Sequence, residues 1–318
     1  MTYRVAIGPS SFGDEDDTPL RMLSEAGVEV VPNLWKRRLT ESEIIAHLDG
    51  VDGLIAGLEP LNKKVMASAQ PRLKAIARVG IGMDNVDIDA SQELGIAVSN
   101  TPDEPARAVA EMTLTALLAL GRELIPTNAA LHAEEWRKSI GVGLGGTKLL
   151  IVGYGRIGRR VADLARAFGA EILVVDPYLD ADDFQHAERQ VSLADGLRQA
   201  DAISLHAGGT SSLLGAEQFS EMKDGVFLLN SARAQLVDED ALVAALETGK
   251  VRGAWFDVFW EEPYHGRLLG FDQVLLTPHV ATYTRQCRLS METAAVRNLL
   301  RDLGIEKLEA ARGAQEDE

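Results

Sequence analysis

The sequence predicts an α/β protein built from two doubly wound, parallel-sheet domains. Three observations carry this. Short β-branched runs alternate with segments of helical spacing from the first residues onward, the pattern of parallel strands joined by crossover helices. A long and nearly all-apolar segment, 104–125, separates that alternation into two series. The length, 318 residues at ~150 per domain, has room for about two such series.

In the first series the runs Tyr3–Ile7, Val28–Val31, Gly53–Ala56, Ala75–Val79 and Ile96–Ser99 read as strands, and 19–26, 41–48, 62–69 and 88–94 as helices. The glycines after the first strand, GPSSFG, lack dinucleotide-fingerprint spacing, so this domain is not expected to bind a nucleotide in the usual way. Segment 104–125 reads as one helix, apolar on most of its surface and therefore buried in a core or an interface, with Pro126 ending it. The second series has strands at Lys148–Val152, Glu171–Val175, Ala202–His206, Val226–Asn230, Gly253–Phe256 and Val274–Thr277. A last helix, 284–303, is expected to return to the first domain, and the charged tail after it to fray. The expected division is 1–100 plus 286–318 against 101–285.

Charge and composition exclude several classes. The formal net charge of −16 opposes phosphate backbones and anionic membranes, so neither nucleic acid nor membrane is expected as a partner. One cysteine, Cys287, can form neither an internal disulfide nor a thiolate zinc site. No secretory signal and no spanning apolar stretch is visible, and a cytoplasmic location is expected.

The strand KLLIV runs into Gly153-Tyr154-Gly155-Arg156-Ile157-Gly158. Gly153 permits the tight turn, Gly155 lets backbone approach a pyrophosphate, and Gly158 lets helix pack on strand. The helix that follows would place Ile157, Val161, Leu164, Ala165 and Phe168 on one face, with Gly169 as its C-terminal cap. The next strand ends in Asp176, suited to accept from ribose hydroxyls and to repel a 2′-phosphate, which favours NAD over NADP. A lone GxGxxG is a weak signal; the strand before it, the helix after it and the acid beyond make this one specific.

Nicotinamide chemistry on a carbonyl also needs a proton carrier and a substrate anchor. Arg233 follows the strand 226–230, where a guanidinium can grip a carboxylate with two N–H groups, although alone it could equally be a surface arginine. Asp257 ends a strand, and Glu262 precedes Pro263, which biases it to extended backbone. His279 follows the strand 274–277 and, beside a carboxylate, could pass a proton near neutral pH; a lone loop histidine is more often structural. His206 is its competitor, while His47, His132, His186 and His265 read as structural or exposed. Trp136, Trp255 and Trp260 read as packing or cleft-wall residues. No HExxH and no GxSxG occurs, so neither a metal site nor a serine nucleophile is expected.

Taken together, GYGRIG with Asp176, NSAR at 230–233, DVFWEEP at 257–263, TPH at 277–279, ARVGIGMDNVDIDA at 77–90 and NTP at 100–102 resemble the D-isomer-specific 2-hydroxyacid dehydrogenase family, in its order and over nearly the whole chain. Trp136 matches a tryptophan that usually precedes the fingerprint strand. The resemblance implies a Rossmann NAD domain inserted into a flavodoxin-like substrate domain. It implies a homodimer formed through the nucleotide domain, which would account for the apolar 104–125 helix. It implies that Arg233 binds and polarises a 2-keto acid, that His279 is the acid/base, and that Glu262 pairs with His279. The backbone N–H groups of Ile81 and Gly82 would receive the substrate carboxylate, and Arg78 belongs to the same substrate-binding loop. Asp257 would meet the nicotinamide carboxamide, and Ala207 and Ser231 would border the cofactor. The chain departs from the family at Ala234-Gln235, at Ala207-Gly208 and after His279.

Within the family the likeness is greatest to the phosphoglycerate dehydrogenase-like members, and their reaction is the first expectation. However, a phosphate-reading arginine in such enzymes lies near Gly57–Glu59, where this chain has GLEP. A small unphosphorylated acid such as glyoxylate, hydroxypyruvate or lactate is the alternative, and an NAD(H)-sensing corepressor is a third reading. The sequence ends soon after its last helix, so the regulated form with a C-terminal domain is not expected.

Overall fold

The computed structural model describes residues 2–180, 184, 188–209 and 211–305. It is α/β with two purely parallel sheets. The tail 306–318 and His186 lie outside the described residues. By contacts the chain forms two compact units, Met1–Pro105 with Thr284–Glu318, and Ala106–Tyr283.

The first unit runs β1 (Arg4–Ile7), α1 (Thr18–Glu25), β2 (Glu29–Val31), α2 (Glu41–His47), β3 (Gly53–Ala56), α3 (Lys63–Ser68), β4 (Ala75–Arg78), α4 (Ile88–Glu93) and β5 (Ala97–Ser99). Helices α3 and α4 start where a side-chain oxygen takes an otherwise unpaired N–H: Asn62 accepts from Val65 and Asp87 from Ala90. The sheet order is β2-β1-β3-β4-β5, so it reverses direction between β1 and β3. The last helix among the described residues, α11 (Arg285–Asp302), packs on this sheet. Gly53 makes room for it: a β-carbon there would lie 3.2 Å from methyl groups of Leu299 and Leu303.

The second unit begins with α5 (Pro105–Gly121) and α6 (Leu124–His132). The single helix expected over 104–125 is thus two, and Pro126 does not end it. The break is at Glu123, whose φ of +51° is left-handed. Pro126 is the third residue of α6, where its missing N–H would have had no intrahelical partner. Helix α5 exposes only the stripe Arg107, Glu111 and Thr115, and its apolar side joins the core of its own unit through Val109, Leu114 and Leu117.

There follow β6 (Lys148–Val152), α7 (Arg156–Ala167), β7 (Glu171–Val175), β8 (Arg189–Gln190), α8 (Leu193–Gln199), β9 (Ala202–Leu205), α9 (Ala216–Glu221), β10 (Val226–Asn230), α10 (Glu239–Glu247), β11 (Val251–Phe256) and β12 (Val274–Leu276). The sheet order is β12-β11-β10-β9-β6-β7-β8, reversing between β6 and β9. Its central strands are buried on both faces, so neighbouring residues feed opposite cores: Phe256 one side, Trp255 the other. Helix α7 buries Gly158, Val161, Ala162 and Ala165. Phe168, expected on that buried face, is 52% exposed: it is the C-cap of α7, beyond the last helical residue and just before the left-handed turn at Gly169 (φ +85°).

Candidate active site

In parallel sheets a ligand crevice opens at the carboxyl ends of the strands, where the order reverses. In the second unit that edge carries Gly153, Asp176, Ala207, Ser231 and Asp257. Gly153 has φ +92°, and a β-carbon there would lie 2.5 Å from the Ala207 nitrogen. Gly158 must also be glycine, since a β-carbon would come within 2.2 Å of the Gly153 carbonyl. At Gly155 the space where a β-carbon would project is open. Gly155 also caps α7 without a side chain, so no side-chain cap closes the first turn of the helix.

Asp176 closes the loop from the side. Its carboxylate accepts from the Tyr154 amide at 2.8 Å and the Tyr178 amide at 3.0 Å. Beneath the loop, the buried Tyr154 hydroxyl donates to Glu188, and burial with that carboxylate pushes the phenol well above its ordinary range. No spacing rule in the sequence ties Tyr154 to Glu188. The Ser231 hydroxyl is buried and has no hydrogen-bond partner among the described residues. An open glycine approach, an uncapped helix start, a diol-seeking acid and an orphan hydroxyl together fit a dinucleotide.

The proton-handling groups lie on the adjoining strand ends. His279 Nδ1 is 3.1 Å from both oxygens of Glu262. A carboxylate only accepts, so Nδ1 carries the hydrogen and Nε2 is left to exchange a proton. The Phe259 amide also donates to Glu262 and orients it. His279 has φ +56°, a left-handed conformation that costs a side-chain-bearing residue about 1–2 kcal/mol and needs local support. Asp257 is nearby and buried; both its oxygens are taken by the turn that carries His279. Burial pushes the Asp257 carboxyl up, against the pull of those bonds.

Arg233 is held by its backbone. The buried Asn230 side chain donates to the Arg233 carbonyl and accepts from the Ala232 amide, fixing the turn after β10. Asn230, part of the NSAR motif, is the missed residue here: a buried amide at a strand end is its only signal.

His206 does not compete. Its Nε2 is 2.8 Å from the Ser204 hydroxyl, and burial pushes its pKa down to about 3, so it stays neutral. His47 is buried against the Ile7 carbonyl, and His132 and His265 are exposed. Trp255 and Trp260 pack as expected, but Trp136, expected to pack or line a cleft, is 81% exposed.

In the first unit, Gly80 (φ +130°) lets the Arg78 guanidinium fold beside it and donate to the Val79 carbonyl. Gly80 is tied to Thr101 in both directions, and the Ile81 carbonyl accepts from Asn100. These bonds shape the loop that presents the Ile81 and Gly82 amides. Glu59 is fully buried at the reversal between β1 and β3. One oxygen accepts from the Gly57 amide; the other has no hydrogen-bond partner among the described residues. Burial pushes its pKa up.

Comparison with known proteins decides the family. A family model described as "D-isomer specific 2-hydroxyacid dehydrogenase, NAD binding domain" matches residues 114–281. The chain belongs to that family. The GYGRIG loop therefore sits in the family's NAD-binding domain. The chain is 34% identical over 312 residues to the hydroxypyruvate reductase of Thermotoga maritima, covering 95% of this chain and 99% of that one. It is 36% identical over 286 residues to the D-3-phosphoglycerate dehydrogenase of Methanocaldococcus jannaschii, covering 86% of this chain and 53% of that one. The chain spans about half the length of the phosphoglycerate dehydrogenases it matches. Among solved structures, the TT0316 protein of Thermus thermophilus is similar at a TM-score of 0.86 and 35% identity, over 95% of this chain and 97% of that one.

For this family member NAD is the cofactor, and the residues described above are those available to hold it. No helix among the described residues is long and apolar enough to cross a membrane.

Proposed function

We propose that this protein is an NAD-dependent dehydrogenase that interconverts a small 2-hydroxy acid and its 2-keto acid, with no second anionic group on the substrate. The observation that carries the substrate class is Glu59. It fills the reversal point of the first unit and supplies an acid where a phosphate would need a cation. This reverses the order reached from sequence. Phosphoglycerate becomes the second reading, favoured by Arg78 and by relatives named for that activity. Relatives named hydroxypyruvate reductase and glyoxylate reductase, matched over nearly their full lengths, support the first.

The mechanism follows from the residues. Bound NAD supplies the hydride acceptor or donor at the substrate's C2. The substrate carboxylate is received by the Ile81 and Gly82 amides and by Arg78. Arg233 offers two N–H groups to the keto acid and polarises its carbonyl. In oxidation, His279 Nε2 takes the hydroxyl proton; in reduction, the protonated ring returns it. Glu262 holds the ring and balances the imidazolium charge. Gly153, Gly155, Gly158, Arg156, Ile157, Asp176, Ala207 and Ser231 serve the dinucleotide.

The decisive experiment mixes purified protein and NADH with hydroxypyruvate, glyoxylate, pyruvate and 3-phosphohydroxypyruvate, followed at the NADH absorbance band. Turnover on the unphosphorylated acids is expected. Turnover on the phosphorylated one alone would establish the second reading. NADH binding without any turnover would favour a dinucleotide sensor.

A second copy of this chain is the proposed partner. Helix α6 and the segment after it expose Leu124, Ile125, Leu131, Trp136 and Ile140, the last at 95%. That run of apolar surface suits an interface between copies. A one-chain particle mass by light scattering would overturn it.

A further inference from the structure

Trp255 near the end of β11 and Asp257 just past it are two residues apart in extended backbone and so point to the same face of the sheet. Both reach the end of the neighbouring β12. The Trp255 indole Nε1 donates to the Thr277 hydroxyl at 2.9 Å, and that hydroxyl donates to Asp257 Oδ1 at 2.6 Å. An indole N–H can only donate, so Thr277 must accept from it. The one hydroxyl proton of Thr277 is thereby committed to Asp257.

Asp257 in turn accepts from two amides on the far side of His279. Val280 donates to Oδ1 and Ala281 to Oδ2, each at 2.9 Å. On the near side, the His279 amide returns to the Thr277 carbonyl at 2.9 Å. Bonds made through Thr277 and Asp257 therefore bracket His279, the residue at φ +56°. Asp257 is buried, so its carboxylate depends on these donors for its charge-assisted bonds.

We propose that Thr277 is a positioning residue for His279: oriented by Trp255, it directs the Asp257 carboxylate so that the turn holds the imidazole in its left-handed seat opposite Glu262. The inference deepens the acid/base reading of His279 and rests on it. Thr277→Val keeps the shape and removes the relay. It lowers kcat at least tenfold while the Kd for NADH stays within about twofold, and Thr277→Ser restores kcat to within about threefold of the starting protein. A Thr277→Val protein with unchanged kcat, or a Thr277→Ser protein as slow as Thr277→Val, overturns the proposal. Should Thr277→Val fail to fold, Trp255→Phe removes the indole donor, with a smaller ring in the core whose stability cost is read separately by thermal melting. A fall in kcat of threefold or more at unchanged NADH affinity then supports the relay, and an unchanged kcat overturns it. His279→Ala is run in parallel. If it still turns over, the acid/base reading itself fails; if it is inactive while Thr277→Val is as fast as the starting protein, only the positioning role fails.

Discussion

The two units each have one point where the parallel sheet reverses direction, and the two points have opposite fates. Between β6 and β9 the Gly153 backbone meets Ala207, and the space beside Gly155 is open. Between β1 and β3 the equivalent space is plugged. A β-carbon on Gly8 would lie 2.0 Å from Glu59 Oε1, and one on Gly57 3.0 Å from Oε2. Both crevices satisfy the same topological rule. The difference teaches that topology only offers a crevice. The side chain standing in it decides whether a phosphate can enter: one crevice presents uncapped amide donors, the other a buried carboxyl.

Three expected outcomes break or sharpen this comparison. The largest concerns the chemistry that only the second unit carries. His279→Ala should lower turnover by about 10²–10⁴-fold, the range for losing a general acid/base, with NADH fluorescence titration unchanged. Retained turnover would remove the functional contrast between the units.

The next effect compares the two glycine loops directly. Gly158→Ala drives a β-carbon into the Gly153 carbonyl and should weaken NADH binding at least tenfold, with about 1–3 kcal/mol of lost stability. Gly8→Ala meets the Glu59 carboxyl and should lose stability on a similar ~1–3 kcal/mol scale, but leave NADH affinity unaltered. Equal losses of NADH affinity in both variants would mean that the first crevice serves the dinucleotide after all.

The smallest effect reads the plug itself. Burial raises the Glu59 pKa in the folded protein, so between its unfolded and folded values the folded state holds the extra proton. Stability contributed by that proton falls as pH rises through this window, which opens near the ordinary carboxyl value of 4.5. Glu59→Gln removes the fall. Its melting temperature relative to the parent should therefore rise between pH 5 and pH 8, by about 2–4 °C for each kcal/mol. A difference that stays constant with pH would show Glu59 to be charged in both states. Asp257 and Glu292, also raised by burial, keep their own pH response in both proteins.

Much of the fold was legible because period and punctuation are local properties. The five strands of the first sheet were read to within a residue or so, since each is a β-branched run between turn residues. The 104–125 segment misled because apolar content says nothing about where a backbone turns left-handed. Glu123 carries no sequence mark of its +51° φ, and Pro126 is as compatible with a helix start as with an end. Helices α8 and α10 begin at the caps Ser192 and Asp238, which are common in loops and so carry little weight alone.

The sequence by itself determined the two α/β series, the dinucleotide loop with its acid, and the residue types able to carry a proton. These follow from spacing along one strand–turn–helix, where covalent connection alone brings the parts together. Tertiary structure decided the rest: that Glu262 faces Nδ1 of His279, that His206 is desolvated into neutrality, that Trp255 reaches Thr277, and that Glu59 fills the first crevice. Each of these joins residues from different strand ends or loops, or depends on what packs around them. Only folding sets their distance, burial and hydrogen-bond direction.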